Sequence, residues 1–190
     1  MSLKGAKIDG DLNMTGAGFD GLLDAEFLHV GGSLFMRSDG DNKASFQVVN
    51  LNASTISGHI FMQGASFGGE LSADSLQLSG SLEMRSDSRH ITSLKNVILR
   101  GAKIGEIFMS GASFHGTLAA NALQVGGNLF MRDAQFVRMI DMTFAHVGGN
   151  LDLRGATLSE LDLACASIAG DSRVGGRNDL NPPSGRSPAH

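Results

Sequence analysis

Small and apolar residues alternate with polar ones over short stretches of this chain, and the stretches return about every eleven residues. In register, GAKIDGDLNMT (5–15), GAGFDGLLDAE (16–26) and FLHVGGSLFMR (27–37) are followed by a longer unit, SDGDNKASFQVVNLN (38–52). The series then repeats as ASTISGHIFMQ (53–63), GASFGGELSAD (64–74), SLQLSGSLEMR (75–85) and SDSRHITSLKNVILR (86–100). A third pass covers 101–143 without the long insertion, and the pattern closes at Val174. In most units the second place is small, and the fourth, eighth and tenth are apolar. This period of two predicts two short strands per unit with a bend between them, and no stretch carries a helical period. Units alternate in character, so two of them make one coil and odd units stack on odd. Such a chain buries its apolar side by winding, which predicts an all-β, single-stranded β-helix of about seven coils of roughly 22 residues across 4–174.

Stacked coils should carry ladders of like residues. The fourth place of the odd units reads Ile8, Val30, Ile56, Leu78, Ile104, Val125, and the tenth reads Met14, Met36, Met62, Met84, Met109, Met131. In the even units the fourth place reads Phe19, Phe46, Phe67, Leu94, Phe114, Phe136. Thioethers between aliphatics are core filler rather than metal ligands. Glycine holds the sixth place of the odd units (Gly10, Gly32, Gly58, Gly80, Gly105, Gly127, Gly149). A glycine column at a corner predicts positive φ or close backbone approach.

The ninth place lies between two inward residues and so points outward. In the even units it is polar at Asp24, Asn50, Ser72, Asp141 and Asp162, while in the odd units it reads Asn13, Phe35, Phe61, Glu83, Phe108, Phe130, Asp152. Phe35, Phe61, Phe108 and Phe130 are expected to form an outward column about 19 Å long, at about 4.8 Å per coil. With Arg37, Arg85 and Arg132 beside it, this stripe has the aromatic and arginine character of an interface centre. The expected partner is a second copy of the chain, as a homodimer, or another protein.

Ala-Lys-Ile-Asp-Gly (6–10), Ala-Gly-Phe-Asp-Gly (17–21) and Ala-Ser-Phe-Gly-Gly (65–69) resemble the alanine, polar, Leu-or-Phe, x, x repeat of the pentapeptide-repeat family. The resemblance spans 5–174 and implies a right-handed quadrilateral β-helix. This chain departs from the family in spacing, since most units are a five plus a six; 101–110 and 155–164 are plain tens. The resemblance also implies an alternative function, because some members are DNA mimics that bind type II topoisomerases such as DNA gyrase.

Composition narrows the function classes. A formal net charge of −4 with 18% charged residues is not that of a nucleic-acid binder. One cysteine, Cys165, allows no intrachain disulfide. The first ten residues hold no apolar signal-peptide core, and no apolar run is long enough for a membrane span, so a cytoplasmic location is expected. No catalytic constellation is legible. The six histidines lack metal-ligand spacing, the serines lack His and Asp partners, and the acidic residues do not pair as a glycosidase or lyase would require. No enzyme activity and no cofactor are expected.

The insertions at 38–43 and 86–91 are predicted to leave one corner two coils apart, displaying Asp39, Asp41, Asp87 and Arg89. The three aspartates fall short of a calcium ligand set, so two solvated loops are expected. The tail from 175 to 190 has little to bury and reads as disordered. Without a capping helix, the coil ends expose unpaired edges. Either the chain is a piece of a longer protein or its ends pair with another copy.

Overall fold

The computed structural model describes residues 1–175, and those residues form 22 strands and no helix. The expected separation of odd from even units is the separation between its two sheets. Odd-unit strands such as His29–Val30, Leu34–Phe35 and Gln77–Glu83 build a 14-stranded sheet, and even-unit strands such as Gly18–Asp24 and Ser66–Ser72 an 8-stranded one. All pairing between named strands is parallel, each strand bonding to its counterpart one coil on, as in Leu34 with Ile60 and Phe46 with Phe67. The molecule is therefore a β-solenoid of about eight turns of roughly 22 residues. Most odd units hold two strand segments with a bend between them. Most even units run as one strand with a register shift where the bend was expected, as between Phe19 and Leu22.

Each unit starts at a tight turn. The N–H of its second residue donates to the carbonyl three residues earlier, that of the tenth residue of the preceding unit, as Ala17 does to Met14 at 3.1 Å and Ala65 to Met62 at 3.2 Å. The first residue of the unit takes the left-handed conformation, except at Ser38 and Ser86, which open the two long units. Six of these are glycines with φ between 60° and 71°, while Phe27, Ala53, Ser75, Ala122, Asp133, Phe144 and Cys165 adopt it at 53–59°. The corner thus sits one place before the small residue, not at the sixth-place glycines, which do not take positive φ. Their requirement is close approach alone: a Cβ on Gly80 would lie 2.3 Å from the Gly58 carbonyl oxygen. The absence of side chains lets these glycines bond directly from coil to coil, Gly58 N–H to Gly32 O and Gly80 N–H to Gly58 O, both at 2.9 Å.

The core ladders are as expected. Met36, Met84 and Met109 are fully buried, and the inward phenylalanines stack as Phe19–Phe46–Phe67 and Phe114–Phe136, with Leu94 between the two runs. A second ladder of side chains runs outside, at the seventh place of the odd units. There the Ser33 N–H donates to the Asp11 carboxylate, His59 N–H to Ser33 Oγ, Ser81 N–H to His59 Nδ1 and Asn150 N–H to Asn128 Oδ1. These bonds satisfy backbone donors that the bend takes out of the strand ladder.

Candidate functional site

The ninth-place column exists, in register. Backbone pairing aligns Asn13 with Phe35, Phe35 with Phe61, Phe61 with Glu83, Glu83 with Phe108, Phe108 with Phe130 and Phe130 with Asp152. The phenyl rings form two stacked pairs, Phe35–Phe61 with centroids 4.9 Å apart and Phe108–Phe130 at 5.2 Å. The four rings are half-buried rather than open to water. Phe35 and Phe130 are covered from two residues on, Phe61 and Phe108 by an arginine of the coil before. The Arg37 guanidinium lies 5.4 Å from the Phe35 ring and 5.9 Å from Phe61, Arg85 lies 5.8 Å from Phe108, and Arg132 lies 5.3 Å from Phe130. The arginines thus cap the column rather than flanking it, a cation–π arrangement.

Where the column is acidic, the same arginines act as counter-ions. Glu83 is 8% exposed and accepts from Arg85 Nε and Ser81 Oγ, both at 3.0 Å. Asp152 is 2% exposed and is gripped by Arg154 and Arg132. Hydrogen bonds from the Arg154 side chain, against some desolvation, hold the Asp152 carboxyl well below the usual carboxylate range, with Arg132 adding to the effect. Outward-pointing therefore does not mean exposed at this position. Ser72, expected on the open surface of the even face, is also buried at 8%, and its hydroxyl donates to Asn52 Oδ1 at 2.8 Å.

Sequence reading missed what the ninth place does elsewhere. Asn13, Asp24, Asn50, Asp141, Asp152 and Asp162 each accept the N–H two residues on, at 2.8–3.3 Å, an Asx turn that closes the strand before the corner. The signal was present as Asx two residues before the end of a unit. Phenylalanine at this place gives up that bond.

The two insertions fold alike. Ser38 Oγ accepts from the Ala44 N–H at 3.0 Å and donates to the Gly64 carbonyl at 2.7 Å, while Ser86 Oγ accepts from Thr92 and donates to Gly111 at the same distances. Each loop is pinched at its neck by its leading serine and hooked to the next coil. Each also leans back over a corner glycine of the coil before, Asn42 over Gly16 and His90 over Gly64. Asp87 caps its own loop by accepting the N–H groups of Arg89 and His90, both at 2.7 Å, and the bond from Arg89 does most to hold its carboxyl below its ordinary value. Between the loops lies an open cleft of about 510 Å³, lined by Arg37, Asp39, Arg85 and Asp87 with Gln63 among them, whose Oε1 is buried without a partner. Arg89 of one loop reaches toward Gly40 of the other, whereas Asp39, Asp41 and Asp87 do not assemble a metal site. Among the described residues, no three His, Cys, Asp or Glu side chains are placed to hold an ion.

Cys165 is exposed at the last corner, and among the described residues no helix is long and apolar enough to cross a membrane. The expectation for the tail falls outside the described residues, apart from Gly175. Compared with known protein families, curated proteins and solved structures, the chain matches none.

Proposed function

We propose that this chain is a non-catalytic β-solenoid scaffold that works through protein contacts, and that it self-associates through the odd face bearing Phe35, Phe61, Phe108 and Phe130. The observation that supports this is the sequence choice at the ninth place. Asx side chains there add a hydrogen bond that closes the corner, and six coil edges use it. Four odd units place phenylalanine instead, forgoing the bond and leaving ring edges at the surface. Coil stacking alone does not call for that exchange. A face of aromatic rings and guanidinium groups is the composition that protein interfaces favour at their centres. The topoisomerase alternative draws no support from this surface, because its most acidic positions, Glu83 and Asp152, are tied to arginines.

Light scattering on the purified chain tests the reading. The expected result is a dimer for the unmodified protein and a monomer for Phe61→Ser/Phe108→Ser, with the strand spectrum kept. A monomeric unmodified protein at high micromolar concentration overturns self-association, as does a double variant that stays dimeric.

A further inference from the structure

The loops at 38–43 and 86–91 are extra to the solenoid. The third pass stacks its even units without any insertion, pairing Ser113 with Gln135 and Leu118 with Ile140, so coil pairing does not call for the loops. Yet both are ordered by the same device, a leading serine that pinches the neck and hooks the next coil. Holding extra residues in one shape costs conformational entropy, which marks the loops as serving something other than the fold. We infer, independently of the self-association proposed above, that the cleft between them is a binding site for a neutral saccharide, one or two rings in size.

The polar groups lining this cleft are left unsatisfied by the chain itself. Arg85 is tied to Glu83, and Arg132 and Arg154 to Asp152, whereas Arg37 has no acidic partner among the described residues. Asp39 bonds to Asn42 through its backbone alone, leaving its carboxylate open. Asp87 uses Oδ1 to cap its own loop, while its Oδ2 lies beside Gly64, where a Cβ would meet it at 2.9 Å. Gln63, from the coil between the loops, has its amide oxygen buried without a partner. A guanidinium donor and three oxygen acceptors therefore border a space of about 510 Å³, inside the roughly 300–1,000 Å³ of small-ligand sites.

A free donor beside free acceptors excludes simpler ligands. A phosphate or carboxylate group offers acceptors and would meet two aspartates. An ammonium or metal ion offers nothing to Arg37, and Asp39, Asp41 and Asp87 are not placed to hold an ion. A sugar hydroxyl donates once and accepts twice, so adjacent hydroxyls of one ring can accept from Arg37 while donating to Asp39 or Asp87. Such a ligand also brings no charge into a cleft lined by both signs. A free amino acid carries both kinds of group as well, and the experiment separates it from a sugar.

Isotope-labelled protein, titrated in separate runs with glucose, maltose, cellobiose, lactose and chitobiose into the tens of millimolar, reads the site through its amide NMR shifts. The expected result is a saturable shift for at least one sugar, confined to the two loops and Gln63. Asp39→Ala, whose side chain supports no bond of the fold, should weaken that binding about ten- to hundredfold by removing a charged hydrogen-bond acceptor. Arg37→Ala should do the same from the donor side. No saturable shift with any of these sugars overturns the proposal, as does binding undiminished in either variant. Saturable shifts with free glycine, inorganic phosphate or calcium chloride, and none with the sugars, overturn the saccharide and give the cleft to that ligand.

Discussion

Arg85 closes over Glu83, its Nε 3.0 Å from the carboxylate, in the one coil of the aromatic stripe that lacks a phenyl ring. The neighbouring coils bring Phe61 and Phe108 into register on either side of that carboxylate. One outward position thus accepts either a ring under a guanidinium or a carboxylate beside one, because an arginine of the same coil or of the coil before reaches it in each case.

Replacing Glu83 by Phe should therefore be nearly neutral, within about 1.5 kcal/mol of the parent, since a paired buried charge exchanged for a packed apolar group of similar reach often costs little. Glu83→Ala should lose about 1–2 kcal/mol by removing the acceptor shared by Ser81 Oγ and Arg85 Nε and leaving a gap between two phenyl stacks. Urea unfolding of both variants checks the ordering; a Phe variant less stable than the Ala variant would show that the column cannot extend through this coil.

Asp152 makes stability depend on acid. Its folded-state pKa lies below the value it has in the unfolded chain, so its contribution is present above the ordinary carboxylate range and is lost as pH falls below about 4. Asp152→Asn should cost about 1–2 kcal/mol at neutral pH, a figure kept low because both arginines remain in contact with solvent. The variant should also lose stability less steeply than the parent on acidification below that range. Parallel stability curves from pH 6 downward would remove the argument.

Gly64 and Gly101 are both left-handed, with φ of 68° and 60°, but only Gly64 lies beneath an insertion. A Cβ on Gly64 would fall 2.7 Å from His90 Cβ, whereas on Gly101 the nearest atom is 3.9 Å away. Alanine at either site should cost about 1–2 kcal/mol for its backbone conformation. At Gly64, overpacking should add about another 1–3 kcal/mol. Thermal melts that give equal losses would mean that the 86–91 loop does not press on the coil below it.

Leu82 is 2% exposed in the middle of the odd-unit ladder, so Leu82→Ala should cost about 2–5 kcal/mol through the cavity it leaves. Ser72→Ala should cost about 0.5–1.5 kcal/mol, because its hydroxyl is buried and bonded to Asn52. A neutral Ser72 variant in chemical denaturation would show that this hydrogen bond contributes nothing net.

Much of the molecule could be read in advance because its signals are local and repeated. The period of two places Leu34 and Met36 inward and Phe35 outward whatever surrounds them, and the eleven-residue spacing brings Phe35, Phe61, Glu83, Phe108 and Phe130 into one column once the coils stack. The sequence by itself therefore determined the solenoid, the ladders and the identity of the candidate surface. The corner was harder to place, because a glycine column satisfies either a positive φ or a close approach, and composition does not separate the two. The left-handed residue sits instead at the first place of every unit but the two long ones, where Phe27, Ala53 and Asp133 carry no sign of it.

Only the tertiary structure decided what is buried among the outward residues. Whether Ser72, Glu83 or Asp152 meets water depends on side chains such as Asn52, Arg85 and Arg132, set beside them by turn geometry and by stacking of coils some twenty residues apart. The same holds for the insertions, whose serine-pinched necks and backward lean over Gly16 and Gly64 depend on contacts with coils before and after them. Alternation fixes the direction of a side chain within its own strand, whereas its burial is set by neighbours that only the winding brings near.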